Sequence, residues 1–400
     1  MNPFNSRKTK LTFDEVSSDG LLCAALKQSR AEIIAEVAAS GLRGRGGAGF
    51  PTATKWNLAA AVMLEPGKSK YIVCNADEGE PGTFKDRLIL EHYADLVFDG
   101  MAIAARAIGA TKGLLYLRGE YIYLREQLSK VLSRRREQNL LGNKILGHDD
   151  FSFEIEIRMG SGVYICGEET ALIESLEGQR GEPRNRPPFP INTGFLGQPT
   201  VVNNVETLAW VSCILSKGSE WFKQIGTDIS SGFKLLSISG DCREPGVYEL
   251  PLGITVADIL KKAGGEDAKA VQIGGASGTC IAANDFGRRI AFEDVSTGGS
   301  VIVFGPTRDM LQVAKNFMEF FVEESCGQCT PCREGNAKLL EGLDWLEEGK
   351  CSTSYLQELM KLGQTMQLAS KCGLGQSSSN AFMSIIRSFK SEFMGRRKHA

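Results

Sequence analysis

Apolar residues recur at helical spacing over residues 30–40 (R-A-E-I-I-A-E-V-A-A-S), and the run ends in a glycine-rich stretch. Residues 71–76 (Y-I-V-C-N-A) form an apolar run of the length of a buried strand, with an acidic loop after it. Residues 91–110 predict one apolar helix, 113–117 the next strand, and 120–139 an amphipathic helix ending in Arg134, Arg135 and Arg136. That charge run fits a solvated helix end better than a nucleic-acid patch, because no wider basic face accompanies it. A short strand is expected to end at Gly167, with Glu168 opening a helix, and Asn203 and Asn204 open another. Alternating strands and helices over 70–215 predict an α/β layer structure.

The pattern breaks at 180–200, where G-E-P-R-N-R-P-P-F-P forbids helix and predicts an extended, ordered loop. From Lys234 it changes again: K-L-L-S-I-S-G, G-V-Y-E-L, a short helix at 255–263 and strands near 270–273 and 300–304 make a small α+β unit. Four amphipathic helices follow near 308–323, 333–348, 354–369 and 379–394. No internal repeat interrupts this order.

A chain of 400 residues is too long for one ordinary core. The net charge of -2 argues against a nucleic-acid binder. No run of apolar residues is long enough to span a bilayer, and residues 1–10 are polar with no secretory apolar segment, so a cytoplasmic protein without direct membrane insertion is expected. Eleven cysteines in a chain of this size do not make a disulfide scaffold. The three histidines, His92, His148 and His399, leave little scope for histidine-based metal sites.

Three of those cysteines are concentrated in E-S-C-G-Q-C-T-P-C-R, where Cys326, Cys329 and Cys332 are spaced C-x2-C-x2-C, and thirty-nine residues separate Cys332 from Cys372. Three closely spaced thiolates and a distant fourth suit the irons of one [4Fe–4S] cube. A structural zinc is the alternative, although zinc favours two separated pairs over three plus one. The C-G-L-G run around Cys372 would let backbone N–H groups approach the sulfurs and tune the potential. The other seven cysteines read as small buried apolar residues.

Residues 41–56 (G-L-R-G-R-G-G-A-G-F-P-T-A-T-K-W) match G-x-G-x-x-G formally at Gly44, Gly46 and Gly49. The context is not a dinucleotide fingerprint: a helix precedes the run, Pro51 follows it, and Ser69 stands where an acid belongs. The glycines would still let a planar or phosphorylated ligand touch the backbone, with Arg43, Arg45 and Lys55 supplying positive charge; a plain flexible turn is the alternative. Residues 75–87 (N-A-D-E-G-E-P-G-T-F-K-D-R) place Asn75 and Asp77 at a strand end, where α/β ligand sites form. An asparagine amide offers the donor and acceptor that a flavin edge needs. Glu78 and Glu80 would accept from ribose hydroxyls and repel an extra 2′-phosphate, or the segment is only a solvated acidic turn. Glu168 and Glu169 at a helix start are either ligand contacts or ordinary caps.

Together these blocks, from about Gly41 to Gly375, resemble the flavin- and NADH-binding 51 kDa-type subunits of respiratory complex I and the diaphorase subunits of soluble NAD-linked hydrogenases and formate dehydrogenases. The resemblance implies an FMN- and NADH-binding α/β domain over 1–232, a ubiquitin-like β-grasp domain over 233–307, and a four-helix bundle with a [4Fe–4S] site over 308–400. It implies that Gly44, Arg45 and Gly46, with Lys55, wrap the FMN, that Asn75, Asp77, Tyr164, Gly167, Glu168, Asn203 and Asn204 contact it, and that Gly47 and Glu78 are also among the cofactor-binding residues. NADH would meet Phe50, Glu80, Glu169 and Phe189, and Cys326, Cys329, Cys332 and Cys372 would hold the cluster.

The sequence departs from the family pattern at Leu58, where many relatives carry an aromatic residue that packs on adenine. Its E-G-E-P, against the E-S-E-P more frequent in complex I, leans toward the soluble branch. The implied chemistry is hydride transfer between NAD(H) and FMN with no acid–base residue, then single electrons through the cluster. The implied partners are a thioredoxin-like [2Fe–2S] subunit and a further Fe–S subunit leading to a hydrogenase, formate dehydrogenase or quinone-reducing module. An electron-bifurcating enzyme would share these residues, and the rival of another class is a flavin-free module clamped by a cluster or zinc.

Overall fold

The computed structural model describes residues 6–394. Residues 1–5 and 395–400, and with them the outer ends of the first and last expected units and His399, lie outside the described residues.

The first part of the chain contains α1 (Leu21–Leu26), α2 (Arg30–Ala39), α3 (Thr52–Ala61), β1 (Tyr71–Ala76), α4 (Lys85–His92), α5 (Ala94–Ile108), β2 (Lys112–Leu117), α6 (Arg125–Glu137), β3 (Glu154–Met159), α7 (Glu169–Leu176), β4 (Thr200–Asn204), α8 (Val205–Lys217) and α9 (Ser219–Lys223). Its four strands form a parallel sheet in the order β3-β2-β1-β4. A mixed sheet follows, built from β5 (Phe233–Gly240), β6 (Gly246–Pro251), β7 (Ala270–Ile273), β8 (Thr279–Ala282) and β9 (Ser300–Phe304) in the order β6-β5-β9-β7-β8, with α10 (Val256–Ala263) after β6. The remainder is helical: α11 (Met310–Glu324), α12 (Thr330–Glu347), α13 (Thr353–Ala369), the short α14 (Gly373–Ser377) and α15 (Ser379–Met394). The α/β, α+β and helical organisation expected from the sequence is the one observed.

Local chemistry explains several boundaries. Ser29 and Glu32 form a reciprocal cap on α2, with Glu32 N donating to Ser29 Oγ at 3.2 Å and Ser29 N to Glu32 Oε2 at 2.7 Å. Almost all of α5 is buried, as its all-round apolar sequence requires. At Gly100 an added Cβ would lie 2.1 Å from the Leu208 carbonyl oxygen, so α5 and α8 cross at backbone distance.

The parallel sheet is covered on both faces. Ile72, Cys74 and Ala76 face the core made with α5 and α8, while Tyr71 and Val73 face the core that also contains the C-terminal helices. Those helices therefore share one continuous interior with the sheet.

Three expectations need correction. The helix expected over 91–110 is two helices, broken at Tyr93, whose φ of -132° leaves the helical region. The Tyr93 hydroxyl donates to Asp14 Oδ1 at 2.6 Å, and this contact with a distant segment holds the break. The strand expected to end at Gly167 is a single 3-10 turn over Tyr164–Gly167, and the third strand lies earlier, in the alternating E-I-E-I-R-M of β3. Finally, α1, α3, β4, α9, β8 and α14 were not anticipated; α3 begins directly after Pro51, a residue well suited to a helix start.

Candidate functional site

Strand β1 lies between β2 and β4: the chain passes from β1 to β2 on one side and crosses back from β3 to β4 on the other, which opens a crevice at the carboxyl ends of β1 and β4. Register pairs Cys74 with Asn203 and Asn75 with Asn204 there. Two adjoining chambers occupy the crevice. One, of about 270 Å³, includes Gly46, Gly47, Asp77, Glu80, Lys85, Tyr164 and Ser277 in its walls. The other, of about 560 Å³, includes Gly44, Phe50, Lys55, Leu58, Glu169, Arg186, Phe189 and Asn203. Gly46, Asn75, Gly167, Glu168, Asn204 and Gly373 border both.

The glycine loop between α2 and α3 is a closed ring rather than a flexible turn. Gly44 N donates to Phe50 O at 2.9 Å, Thr52 N to Leu42 O at 3.0 Å, and Arg43 Nε to Gly49 O at 2.6 Å. Gly49 has φ +63°, and a Cβ there would lie 2.5 Å from the Phe292 ring. Arg45 departs from expectation. Its buried guanidinium turns away from both chambers and donates to Ser231 O at 2.7 Å, with Phe222 and Phe292 beneath it. Burial pulls it down to about 10. Its stacking surface lies on the opposite side of the loop, so it braces the loop from behind.

The acidic segment divides its work. Glu78 borders the smaller chamber, but its carboxylate accepts from Asp86 N at 2.8 Å, Arg87 N at 3.3 Å and Tyr121 OH at 2.8 Å, and so caps α4. Glu80 accepts from Tyr164 OH at 2.7 Å and from Ser277 N and Oγ at 3.1 and 2.7 Å; burial nevertheless pushes it up. Glu80 thus stands in the smaller chamber, apart from Phe50 and Phe189. Asp77 is buried, and neither of its carboxylate oxygens has a protein partner. Burial pushes it up to about 7 against the pull of Arg118, with Glu120 and Glu324 adding to the rise.

Helix α7 starts at the crevice. Glu168 Oε2 accepts from Thr170 N at 2.9 Å and Ala171 N at 3.0 Å, so the capping role is real. Its Oε1 stays buried, 3.6 Å from Arg186. Glu169 pairs with Lys55 at 3.0 Å beside Phe50 and Phe189, which leave 48% and 49% of their surfaces open. The asparagines are partly committed already. Asn203 Oδ1 accepts from Trp56 Nε1 at 2.9 Å, Asn75 Nδ2 donates to Gly167 O at 2.9 Å, and Asn204 Nδ2 donates to Asp86 Oδ2 at 2.7 Å.

Beneath Asn204 lies a buried ion network. Lys85 reaches Asp86 at 2.6 Å and Glu206 at 3.0 Å, and Lys234 of β5 also pairs with Glu206. Burial opposes charge on both lysines. Asp86, Glu206 and Glu78 outweigh it at Lys85, whereas burial prevails at Lys234 and pulls it down to about 7. Glu206, despite burial, is held down at about 2 by Lys234 and Lys85.

The four cysteines Cys326, Cys329, Cys332 and Cys372 line one small cavity with Ile165, Ser325 and Leu374. Backbone N–H groups of Gly375 and Leu374 donate to Cys372, and a Cβ on Gly375 would lie 2.9 Å from that of Cys332. Among the described residues no three His, Cys, Asp or Glu side chains are disposed around a single metal ion. In a [4Fe–4S] cube each thiolate serves a different iron, so a shared wall is the arrangement required. Ile165 and Leu374 border this cavity and the smaller chamber alike.

The residues also suit a flavin nucleotide. Asp77 offers buried acceptor oxygens, and FMN carries ribityl hydroxyls and a ring N–H that can donate to them. Several wall residues escaped the sequence reading: Lys85, Asp86, Ser277, Gly298, Gly373 and Gln376. Arg186 at least falls in the proline-rich loop singled out there, and Gly373 in the C-G-L-G run.

Comparison with known proteins agrees with this geometry. The family profiles of the Nuo51 FMN-binding domain, the SLBB domain and the NADH-ubiquinone oxidoreductase-F iron-sulfur binding region match residues 37–213, 236–279 and 312–396. The chain is 48% identical to the alpha subunit of the NAD-reducing hydrogenase HoxS of Cupriavidus necator over 92% of its own length, and spans 60% of that subunit. It is 43% identical to an NADH-quinone oxidoreductase subunit of Rhizobium meliloti, covering 91% of this chain and 88% of that one. A crystal structure of an NAD+-reducing [NiFe]-hydrogenase in the H2-reduced state superposes with TM-score 0.91 at 40% identity, covering 99% of this chain and 68% of that chain. The FMN-binding match removes the reading as a flavin-free module. The chain belongs to the 51 kDa-type family of FMN- and [4Fe–4S]-binding flavoprotein subunits of NADH-linked oxidoreductases.

Proposed function

We propose that this chain is the NAD(H)-linked flavoprotein of a multisubunit oxidoreductase, allied to the diaphorase units of soluble NAD-linked hydrogenases, and that it works in the cytoplasm beside Fe–S partner subunits. The observation that carries the reading is the wall of Ile165 and Leu374 shared by the crevice chamber and the four-thiol cavity. A two-electron and a one-electron carrier placed on either side of it lie within short reach of each other. The 48% identity to the HoxS alpha subunit supports the hydrogenase branch. The three units at 1–232, 233–307 and 308–400 supply, in this reading, most of the crevice, the Ser277 turn in its wall, and the cluster cysteines.

FMN, when bound, supplies hydride exchange with the nicotinamide and gives the electrons up singly. The chain's own residues bind and orient. The glycine ring at Gly44, Gly46 and Gly47 allows backbone contact with the cofactor, and Asn75, Asp77, Gly167, Asn203 and Asn204 set its edge. Phe50 and Phe189 offer open aromatic faces to the dinucleotide. Glu169, beside them, is placed to accept from a ribose diol and to repel a 2′-phosphate; Glu80, in the other chamber, is placed for the reacting end. Cys326, Cys329, Cys332 and Cys372 hold the cluster.

Anaerobic isolation tests the proposal. The protein should yield extractable FMN and four irons per chain, and NADH should bleach its yellow colour. A chain that releases no flavin, or whose colour NADH leaves unchanged, would sink it. Copurifying subunits decide the assembly: nickel names a hydrogenase, molybdenum a formate dehydrogenase, and a quinone-reducing module complex I.

A further inference from the structure

Cys332 differs from its companions in receiving side-chain partners. Asn336 lies one helical turn further along α12, and its Nδ2 is 3.4 Å from Cys332 Sγ and 3.5 Å from Phe321 O. Ser325 Oγ is 3.3 Å from the same sulfur and already accepts from Gly327 N at 3.2 Å. A thiolate ligand carries no proton, so both contacts must run from the amide and the hydroxyl to the sulfur. The two acceptors facing Asn336 also fix which end of its amide points to them.

Packing alone does not account for this asparagine. Asn336 is fully buried, among apolar residues of the bundle interior such as Phe321, Leu339 and Leu343. Its Oδ1 has no partner. A leucine of similar volume would fill the place without leaving an orphaned acceptor. The amide is explained by what its nitrogen does, which is to donate to a cluster sulfur.

We infer that Asn336 and Ser325 tune the [4Fe–4S] cluster through Cys332, raising its reduction potential so that it accepts single electrons from the flavin side. This rests on the ligand set proposed above. A reduced cluster carries one more negative charge than an oxidised one, and donors to a ligand sulfur stabilise the more negative form. The two residues touch a ligand and not the reacting groups, so their role is to adjust the cluster and not to catalyse.

An anaerobic potentiometric titration of the intact protein, followed through the EPR signal of the reduced cluster, tests this. Ser325→Ala and Asn336→Leu should each make the cluster harder to reduce, lowering the reduced-to-oxidised ratio at a fixed potential by up to about tenfold, which for one electron is about 59 mV. Ser325→Thr, which keeps the hydroxyl, should titrate with the wild type. Ser325 is only partly buried, so Ser325→Ala decides alone if Asn336→Leu fails to fold. Full iron content with an unmoved potential in the folded variants would overturn the inference while leaving the ligand set intact. Wild-type protein that binds no iron would overturn the ligand set itself, and the inference with it.

Discussion

The cluster cavity and the crevice chambers are built in opposite ways. The cavity takes three of its four thiols from seven consecutive residues, Cys326 to Cys332, at the N-terminal end of one helix. The chambers gather residues from the glycine ring, the ends of β1 and β4, the start of α7, the Ser277 turn and the first residues of α14. A site made from local spacing is fixed by a short motif and fails when one ligand is lost. A site made from distant pieces depends on the packing and charge balance that bring them together, so it should fail by degrees.

The sharpest break in this comparison is Cys329→Ala. It should erase the EPR signal of the cluster and transfer to the natural partner, while NADH-dependent dye reduction partly survives. Equal loss of both activities in a folded, flavin-loaded variant would show that the two sites are not separable.

Next comes the ion network beneath Asn204. Glu206→Gln leaves Lys85 and Lys234 buried with less compensation, and breaking a buried ion pair in this way costs about 3–5 kcal/mol. Thermal unfolding should report that loss, and flavin should be retained less well because Asn204 is held by the same network. The thiol cavity, which the network does not reach, should still load iron below the new melting point.

Asp77 gives a pH-dependent test. Its folded-state value of about 7 lies above the 3.8 of an exposed carboxylate. The folded chain therefore binds this proton more tightly than the unfolded chain, and stability falls as pH rises from the lower value to the higher. In flavin-free protein Asp77→Asn should remove that fall, a gain on the order of 3–4 kcal/mol at pH 8 and little at pH 4. Glu249, also pushed by burial up to about 7, contributes in the same direction, so the slope should flatten without vanishing. Denaturant melts at a series of pH values would reveal it.

The smallest expected effect is at Glu169. Glu169→Gln should relax discrimination against NADPH by about tenfold in kcat/KM, or about 1.4 kcal/mol, without changing iron content. An unchanged ratio would show that Glu169 does not discriminate against the 2′-phosphate.

The same contrast governs what could be read in advance. That Cys326, Cys329, Cys332 and Cys372 share one cavity was legible from their spacing, which is local for three of them. The helices of the C-terminal part were legible from periodicity, except α14, which is one short turn of a run that looks like loop. The division into α/β, α+β and helical parts followed from where the hydrophobic period changes. The break at Tyr93 was not legible, because it depends on Asp14, far away in sequence. The outward turn of Arg45 depends on Ser231, Phe222 and Phe292, and the capture of Glu80 on Ser277. A charged residue in a promising motif can be spent on structure, and only its remote partners decide whether it is.

Cys372 lines the thiol cavity and Gly373, its neighbour in the chain, borders both crevice chambers. One peptide link therefore belongs to the thiol cavity and to the crevice at once. This bears on recombining such chains: a chimera that exchanges the C-terminal helices for those of a relative also replaces part of the nucleotide crevice. The seam suggested by linear order, near residue 308, is no seam in space, and grafts made there should be judged by flavin affinity as well as by iron.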